Sequence, residues 1–264
     1  MSRESSNEAA PEPHAREVMS TASAPPIAYF VYCHLDDRPQ TRITAPELAF
    51  VKSVVARTPG LARGLVFTPT DTPTAHPFDA DAPPPALALQ LNFDEIGTLE
   101  AALARDGHLQ ALADEDALAS LAGARITHQA MLTRFFPVDD PAFATRDSEL
   151  PCSYLVHYPG EADDFNTWLA HYVDHHPQIM RRFPGIRQIE IYSRLDWTAF
   201  MPWHRTDYMQ RNKLVWDSPA ALSAALFSTT FKDMRADFGV FPAFTGGNVH
   251  YPMTTHTVVP ARGS

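Results

Sequence analysis

Three histidines, His171, His175 and His176, fall within six residues of a segment, 163–183, that reads as one long helix. Imidazole gives and takes protons near neutral pH, so such a cluster points first to acid/base chemistry. His176 is the principal candidate. Tyr172 precedes it by one turn on the same face, placed to orient the imidazole or to donate a proton itself. His171 and His175 have the i, i+4 spacing of a metal pair, but the zincin pattern needs Glu after the first His and a third ligand. Tyr172 occupies that position, and no metal site is expected. His157 ends a strand at 153–158, and by alternation it shares a face with Ser153 and Leu155. His250 and His256 share a face of the last strand, 248–258, with Tyr251 opposite. The loop 197–207 and the residue after it carry Trp203, His204, Arg205, Asp207 and Tyr208. Loops on a rigid scaffold commonly carry binding residues. Trp203 can stack on a planar substrate, with Tyr208 beside it and His204 as a second acid/base. Arg194 and Arg211 are candidates for holding a substrate carboxylate, and Tyr192 adds a phenol on a neighbouring strand.

The absences are as informative. The chain has no GxGxxG after a strand, no phosphate loop, no GxSxG elbow and no cysteine-rich metal motif, so no cofactor is expected. Its formal charge of −10 argues against a nucleic-acid partner. The expected partner is a small molecule, with the chain a monomer or a homodimer. Two cysteines, Cys33 and Cys152, cannot build a disulfide framework, and a reduced, cytoplasmic setting is expected. No apolar run approaches the roughly 18 residues of a membrane span. Residues 1–26, rich in Ser, Glu, Ala and Pro, read as a disordered tail in which Met19 is an alternative start to Met1.

The elements that must position these side chains come in two matching series. The first is a strand at Ile27–His34, a helix at 46–57 capped by Thr44, a strand at 61–68, a proline-rich loop at 69–85, a strand at 86–93, a helix from 95 to about 113 and a strand at 125–137. After a linker at 138–150 the order returns: strand 153–158, helix 163–183, strand 186–194, loop, strand 208–216, helix from 219 to about 238, strand 248–258. Pro59-Gly60 recurs as Pro184-Gly185, Leu91–Asp94 as Leu214–Asp217, and His128 as His250, about 125 residues later. The order βαββαβ is the split βαβ of ferredoxin-like folds. Helices cover one face of such a sheet, and the bare face needs a partner. The expected α+β architecture is two ferredoxin-like repeats, 27–137 and 151–264, packed as a pseudo-dimeric α+β barrel in one chain. All four Trp and seven of the twelve His follow Leu150. Val51 stands where His176 stands in the second series, and Tyr32 where His157 stands. One asymmetric site is expected, built by the second repeat.

The run Tyr172, His176, Pro177, Arg181-Arg182, Phe183, Pro184, Gly185 resembles the EthD family of dimeric α+β barrels, with the proline directly after His176 one place earlier than in the family pattern. The strand-then-helix run Leu214–Leu226 is similar to the family as well. The resemblance implies that fold, and a protein active on small, often aromatic-derived molecules. The expected function is a cofactor-free enzyme using His176, with Tyr172, His157, His204 or His250, for ester hydrolysis, isomerisation or lyase chemistry. Its substrate would be an unsaturated or aromatic-derived carboxylated compound, such as a ring-cleavage product of aromatic degradation. Two alternatives stand beside it: a non-catalytic binding protein of an ether or aromatic degradation operon, and a haem-binding or oxygen-using enzyme.

Overall fold

A computed structural model describes residues 25–71, 83–114, 116–145 and 149–261. The expected tail, the choice of start and most of the proline-rich loop lie outside these residues. Eight strands close into an antiparallel barrel: β1 (Ile27–His34), β2 (Leu61–Pro69), β3 (Leu87–Phe93), β4 (Arg125–Phe136), β5 (Cys152–Tyr158), β6 (Gln188–Arg194), β8 (Gln210–Trp216) and β9 (Val249–Val259). A two-residue strand, β7 (His204–Arg205), adds to β4 in parallel. Around the barrel the order is β1-β3-β2-β9-β5-β8-β6-β4, with β4 returning to β1. The first four strands and the last four thus show the same internal order. The seams between them are β2 with β9 and β4 with β6.

Helices cover the outside. α1 (Ala45–Ala56) and α2 (Ile96–Ala102) lie over the first four strands, and α3 (Phe165–Met180), α4 (Pro219–Leu226) and α5 (Thr229–Phe238) over the second. α1 begins with a full capping box, Thr44 with Glu47. Asp164 caps α3 by accepting from the Asn166 and Thr167 amides, and Ser218 caps α4 ahead of Pro219. The matched Pro-Gly pairs have a backbone reason: Gly60 and Gly185 turn with φ of +70° and +68°, the left-handed region glycine enters freely.

Two expected helices are broken. The one from 95 to 113 stops at Ala102, and a 3-10 turn follows at His108–Ala113. Gly107 lies between them with its Cα against the Ala102 carbonyl, so close that a Cβ would sit 2.4 Å from that oxygen. The one from 219 to 238 divides at Ser228, whose hydroxyl donates back to the Ala225 carbonyl at 2.6 Å and competes with helix propagation. The expected loop at 197–207 contains β7.

Alternation sorts the strand residues into two environments. Tyr29, Val31, Tyr154, Val156, Asn212 and Leu214 face outward toward the helices, whereas Phe30, Tyr32, Leu155, His157, Tyr192, Arg211 and Lys213 face into the barrel. The barrel interior is therefore partly ionic. Arg63 grips Glu190 with both terminal nitrogens, at 2.8 and 2.6 Å. Lys213 Nζ lies 3.1 Å from the same carboxylate, and Gln90 and Tyr192 donate to it at 3.1 and 2.7 Å. Burial alone raises a carboxyl, but Arg63 and Lys213 outweigh it and hold Glu190 far below the usual carboxylate range. Burial, with the Arg63 charge beside it, brings Lys213 down to about 7. Glu190→Gln leaves the buried Arg63 without its counter-ion and removes the charge that favours the protonated form of Lys213. We expect it to cost about 3–5 kcal/mol in urea denaturation, the usual loss when one partner of a buried pair is removed.

Candidate active site

A cavity of about 220 Å³ opens between the outer face of β5, β8 and β9 and the helices α3, α4 and α5. Val156, Leu214, Trp216, Phe231 and Phe238 make it largely apolar. His176 lines it from α3, His250 and Asn248 from the β9 end, Asn212 from β8, and the exposed Arg235 from α5.

His176 is the chemically defined group here. Its Nδ1 lies 2.6 Å from Asp237 Oδ2, so the proton on Nδ1 is donated to a carboxylate and Nε2 keeps its lone pair. Tyr172 and Phe241 hold the ring from two sides, at 4.7 and 4.9 Å between centroids. Burial lowers the His176 pKa, against the opposing pull of Asp237, and the net direction is down. The hydrogen bond from His176 in turn lowers Asp237, outweighing its own partial burial. The pair is thus neutral imidazole beside carboxylate at pH 7, an orienting arrangement that suits a general base or a metal-binding imidazole.

Sequence reasoning missed Asp237, which comes 61 residues after its partner. One signal was present. Asp237 sits in the last turn of α5, where the helix dipole disfavours an anion, and an acidic residue there asks for a compensating donor.

The other expected residues divide among three places. His250 joins His176 in the cavity, stacked on Tyr154 with centroids 5.0 Å apart. Tyr172 is buried behind His176 and accepts from Asn212 Nδ2 at 2.5 Å, tying α3 to β8, and burial keeps its phenol protonated. His157, Arg211 and Tyr192 lie inside the barrel, with Tyr208 at its end, across the sheet from the cavity. Arg194 lies near Glu161 and Asp207, at 3.1 and 3.5 Å, and over the Phe165 ring. Trp203 packs on the first half of the chain, and His204 is exposed on β7. His171 and His175 stack on each other at 4.5 Å, and no group of three metal-ligating side chains occurs among the described residues.

On the matched face of the first half the surroundings of the imidazole are filled. Tyr29 and His128 there hold the register positions of Tyr154 and His250. Tyr29 Oη meets His128 Nδ1 at 2.8 Å, and Trp197 and Trp203 close on the imidazole at 5.0 and 5.9 Å. Both tryptophans come from the β6–β8 loop, anchored on the first half by Phe200 N to Leu103 O and Thr206 N to His128 O. Around the imidazole itself the second half has a cavity and the first has this plug, while a separate space of about 510 Å³ opens on the far side of Trp203, between Leu112, Leu118 and Ile126.

No protein-family model matches the chain, and no curated protein matches it. Solved structures do. An anthrone oxidase-like protein is 9% identical over 92% of this chain and 98% of its own, with a TM-score of 0.53. A mutant chlorite dismutase from Candidatus Nitrospira defluvii is 9% identical over 88% and 93%, with a TM-score of 0.47. An EthD family protein from Bacillus halodurans is 16% identical over 40% of this chain and 97% of its own, with a TM-score of 0.31. At these identities the likeness concerns the fold alone, and the first of them spans nearly the whole of both chains.

The dyad is testable without a substrate. In ¹⁵N-edited NMR spectra we expect wild-type His176 as the single Nδ1–H tautomer. Asp237→Ala should give a mixture of tautomers with the fold retained. An unchanged tautomer in the variant would remove Asp237 from its orienting role.

Proposed function

We propose that the chain is an oxygen-using enzyme in which His176, oriented by Asp237, removes a proton from a small, largely apolar substrate. The carrying observation is the buried 2.6 Å contact of His176 Nδ1 with Asp237 in an imidazole that lines an aromatic-walled cavity. Proton removal from an activated CH₂ group leaves an electron-rich carbanion, which reduces O₂ and joins it as a hydroperoxide once a proton returns from His176. Loss of water then leaves a ketone, so that one CH₂ group and one O₂ give one C=O and one water. Apolar walls suit both O₂ and such a substrate, while Asn212, Asn248 and His250 can orient its oxygen atoms. The fold shared with an anthrone oxidase-like protein supports oxygen chemistry over the ester hydrolysis, isomerisation or lyase reactions expected from the sequence.

A second reading uses the same dyad as the holder of haem. An imidazole that gives its Nδ1 proton to a carboxylate is well suited to bind iron through Nε2, and iron would supply the redox chemistry. The donor fits; the space does not. About 220 Å³ is below the roughly 300–1,000 Å³ of pockets that enclose drug-sized ligands, and a tetrapyrrole is larger than most of those. Among the described residues one cationic side chain, Arg235, lines the cavity to meet two propionates.

Oxygen uptake with anthrone as probe substrate tests the first reading. Wild type should consume one O₂ per ketone formed, and His176→Ala should lose about 10²–10⁴-fold in rate, the usual worth of a positioned acid/base. Oxygen uptake that is the same in both proteins would refute the assignment. A Soret band on haem titration that vanishes in His176→Ala would favour the second reading instead. Because burial lowers the His176 pKa, kcat/KM should be level around pH 7 and fall only below the ordinary histidine value of about 6.5. A fall beginning above pH 7 would point to another base.

A further inference from the structure

The barrel interior holds three basic side chains, Arg63, Lys213 and Arg211, and among the described residues one carboxylate, Glu190. Arg63 and Lys213 share that carboxylate near one end. Arg211, 1% exposed, has no acidic side chain within ion-pair distance among the described residues. Guanidinium does not deprotonate in proteins, so this is a buried cation without a counter-ion. Its partners are neutral. Nη1 donates to His157 Nδ1 at 2.8 Å, while Nε and Nη2 reach Gln129 Oε1 and Nη2 reaches Thr206 Oγ1, all at 3.3 Å, the long end of the range. The faces of Tyr208 and Tyr32 lie 4.3 and 4.7 Å from its central carbon.

Beyond these acceptors, and the Tyr32 hydroxyl that also bonds to Arg211, the neighbours add donors. His157 Nδ1 accepts from Arg211, so the proton of the neutral ring sits on Nε2, and that buried atom has no hydrogen-bond partner. Burial, reinforced by the Arg211 charge, holds His157 well below its ordinary pKa and so in this neutral form. Tyr32, Tyr251 and Tyr208 ring the imidazole at 4.6, 5.2 and 5.9 Å. Burial pushes the Tyr32 and Tyr251 phenols up to about 12, so both keep their protons. A guanidinium, an imidazole N–H and phenol O–H groups thus meet in one low-dielectric place. At the same end of the barrel, the half-buried His34 and the exposed Arg125, which is paired with Asp36 at 2.8 Å, lie beside Tyr251. The half-buried Tyr208 is the most exposed ring over Arg211.

We propose that this end of the barrel binds a small planar oxyanion, of the carboxylate or nitrate class, against Arg211 and His157. Such an anion supplies the missing negative charge and takes over the long contacts to Gln129 and Thr206 in the plane of the guanidinium fork. The site lies across the sheet from the His176 cavity and does not rest on the reading given to that cavity.

Thermal unfolding of the full chain with sodium formate or sodium nitrate, at ionic strength held constant with sodium chloride, tests it. A ligand that binds only the folded chain raises the melting temperature along a saturable curve. Wild type should show that curve with formate and nitrate, His176→Ala should keep it, and Arg211→Gln should lose it. His157→Phe, which preserves the ring and removes the N–H, should weaken binding about tenfold, and it decides the matter if Arg211→Gln does not fold. Formate binding without nitrate binding would assign the site to carboxylates, and the reverse to inorganic oxyanions. The proposal fails if wild type shows no saturable shift up to 100 mM of either anion. It also fails if the shift survives unchanged in both Arg211→Gln and His157→Phe, or in His157→Phe alone when Arg211→Gln does not fold.

Discussion

Closure of the barrel is the constraint from which the other features follow. Each group of four strands has helices on one face only, and its other face must be removed from water. The β2–β9 and β4–β6 seams join the two groups edge to edge, so no long strand edge of the eight remains unpaired among the described residues. Closure also fixes which side chains share a space. A strand residue faces either the ring of helices or the barrel interior, and the sheet separates the two. His157 and His250 sit on neighbouring strands, yet one looks inward at Arg211 and the other outward at the cavity.

This geometry explains how far the sequence could be read. The strands, the cap at Thr44 and the matched Pro-Gly pairs were legible because each depends on residues a few positions apart. The position of His176 on a long helix was legible too. The partners of these residues were not. Asp237 reaches His176 from a different helix, and Glu190 meets Arg63 across the barrel. Alternation alone told that Arg211 and Asn212 face opposite ways, but not which way is the cavity. The structure puts the cavity on the helix side, with Asn212. The helix breaks at Gly107 and Ser228 were visible as residues, though apolar periodicity on both sides masked them.

The asymmetry of the two halves has a physical origin in one loop. Trp197 and Trp203 belong by sequence to the second half and by packing to the first. They fill the face where Tyr29 and His128 would otherwise border a space, and burial brings the His128 pKa down to about 4. The equivalent space of the second half stays open under α5, whose Asp237 then has an imidazole to orient. Imidazoles at matching strand positions thus acquire different roles from what covers them.

That loop has a further consequence, for which half can pair with which. A free second half would carry two tryptophans shaped for a sheet it does not possess. Meeting another copy of itself, it would offer them to the face of Tyr154 and His250, already roofed by α5. Meeting the first half, it would find the Tyr29 and His128 face they fit. The shape of the loop therefore matches the first half's sheet and not the second's own. A chain holding both halves in one polypeptide keeps that choice from arising at each round of folding.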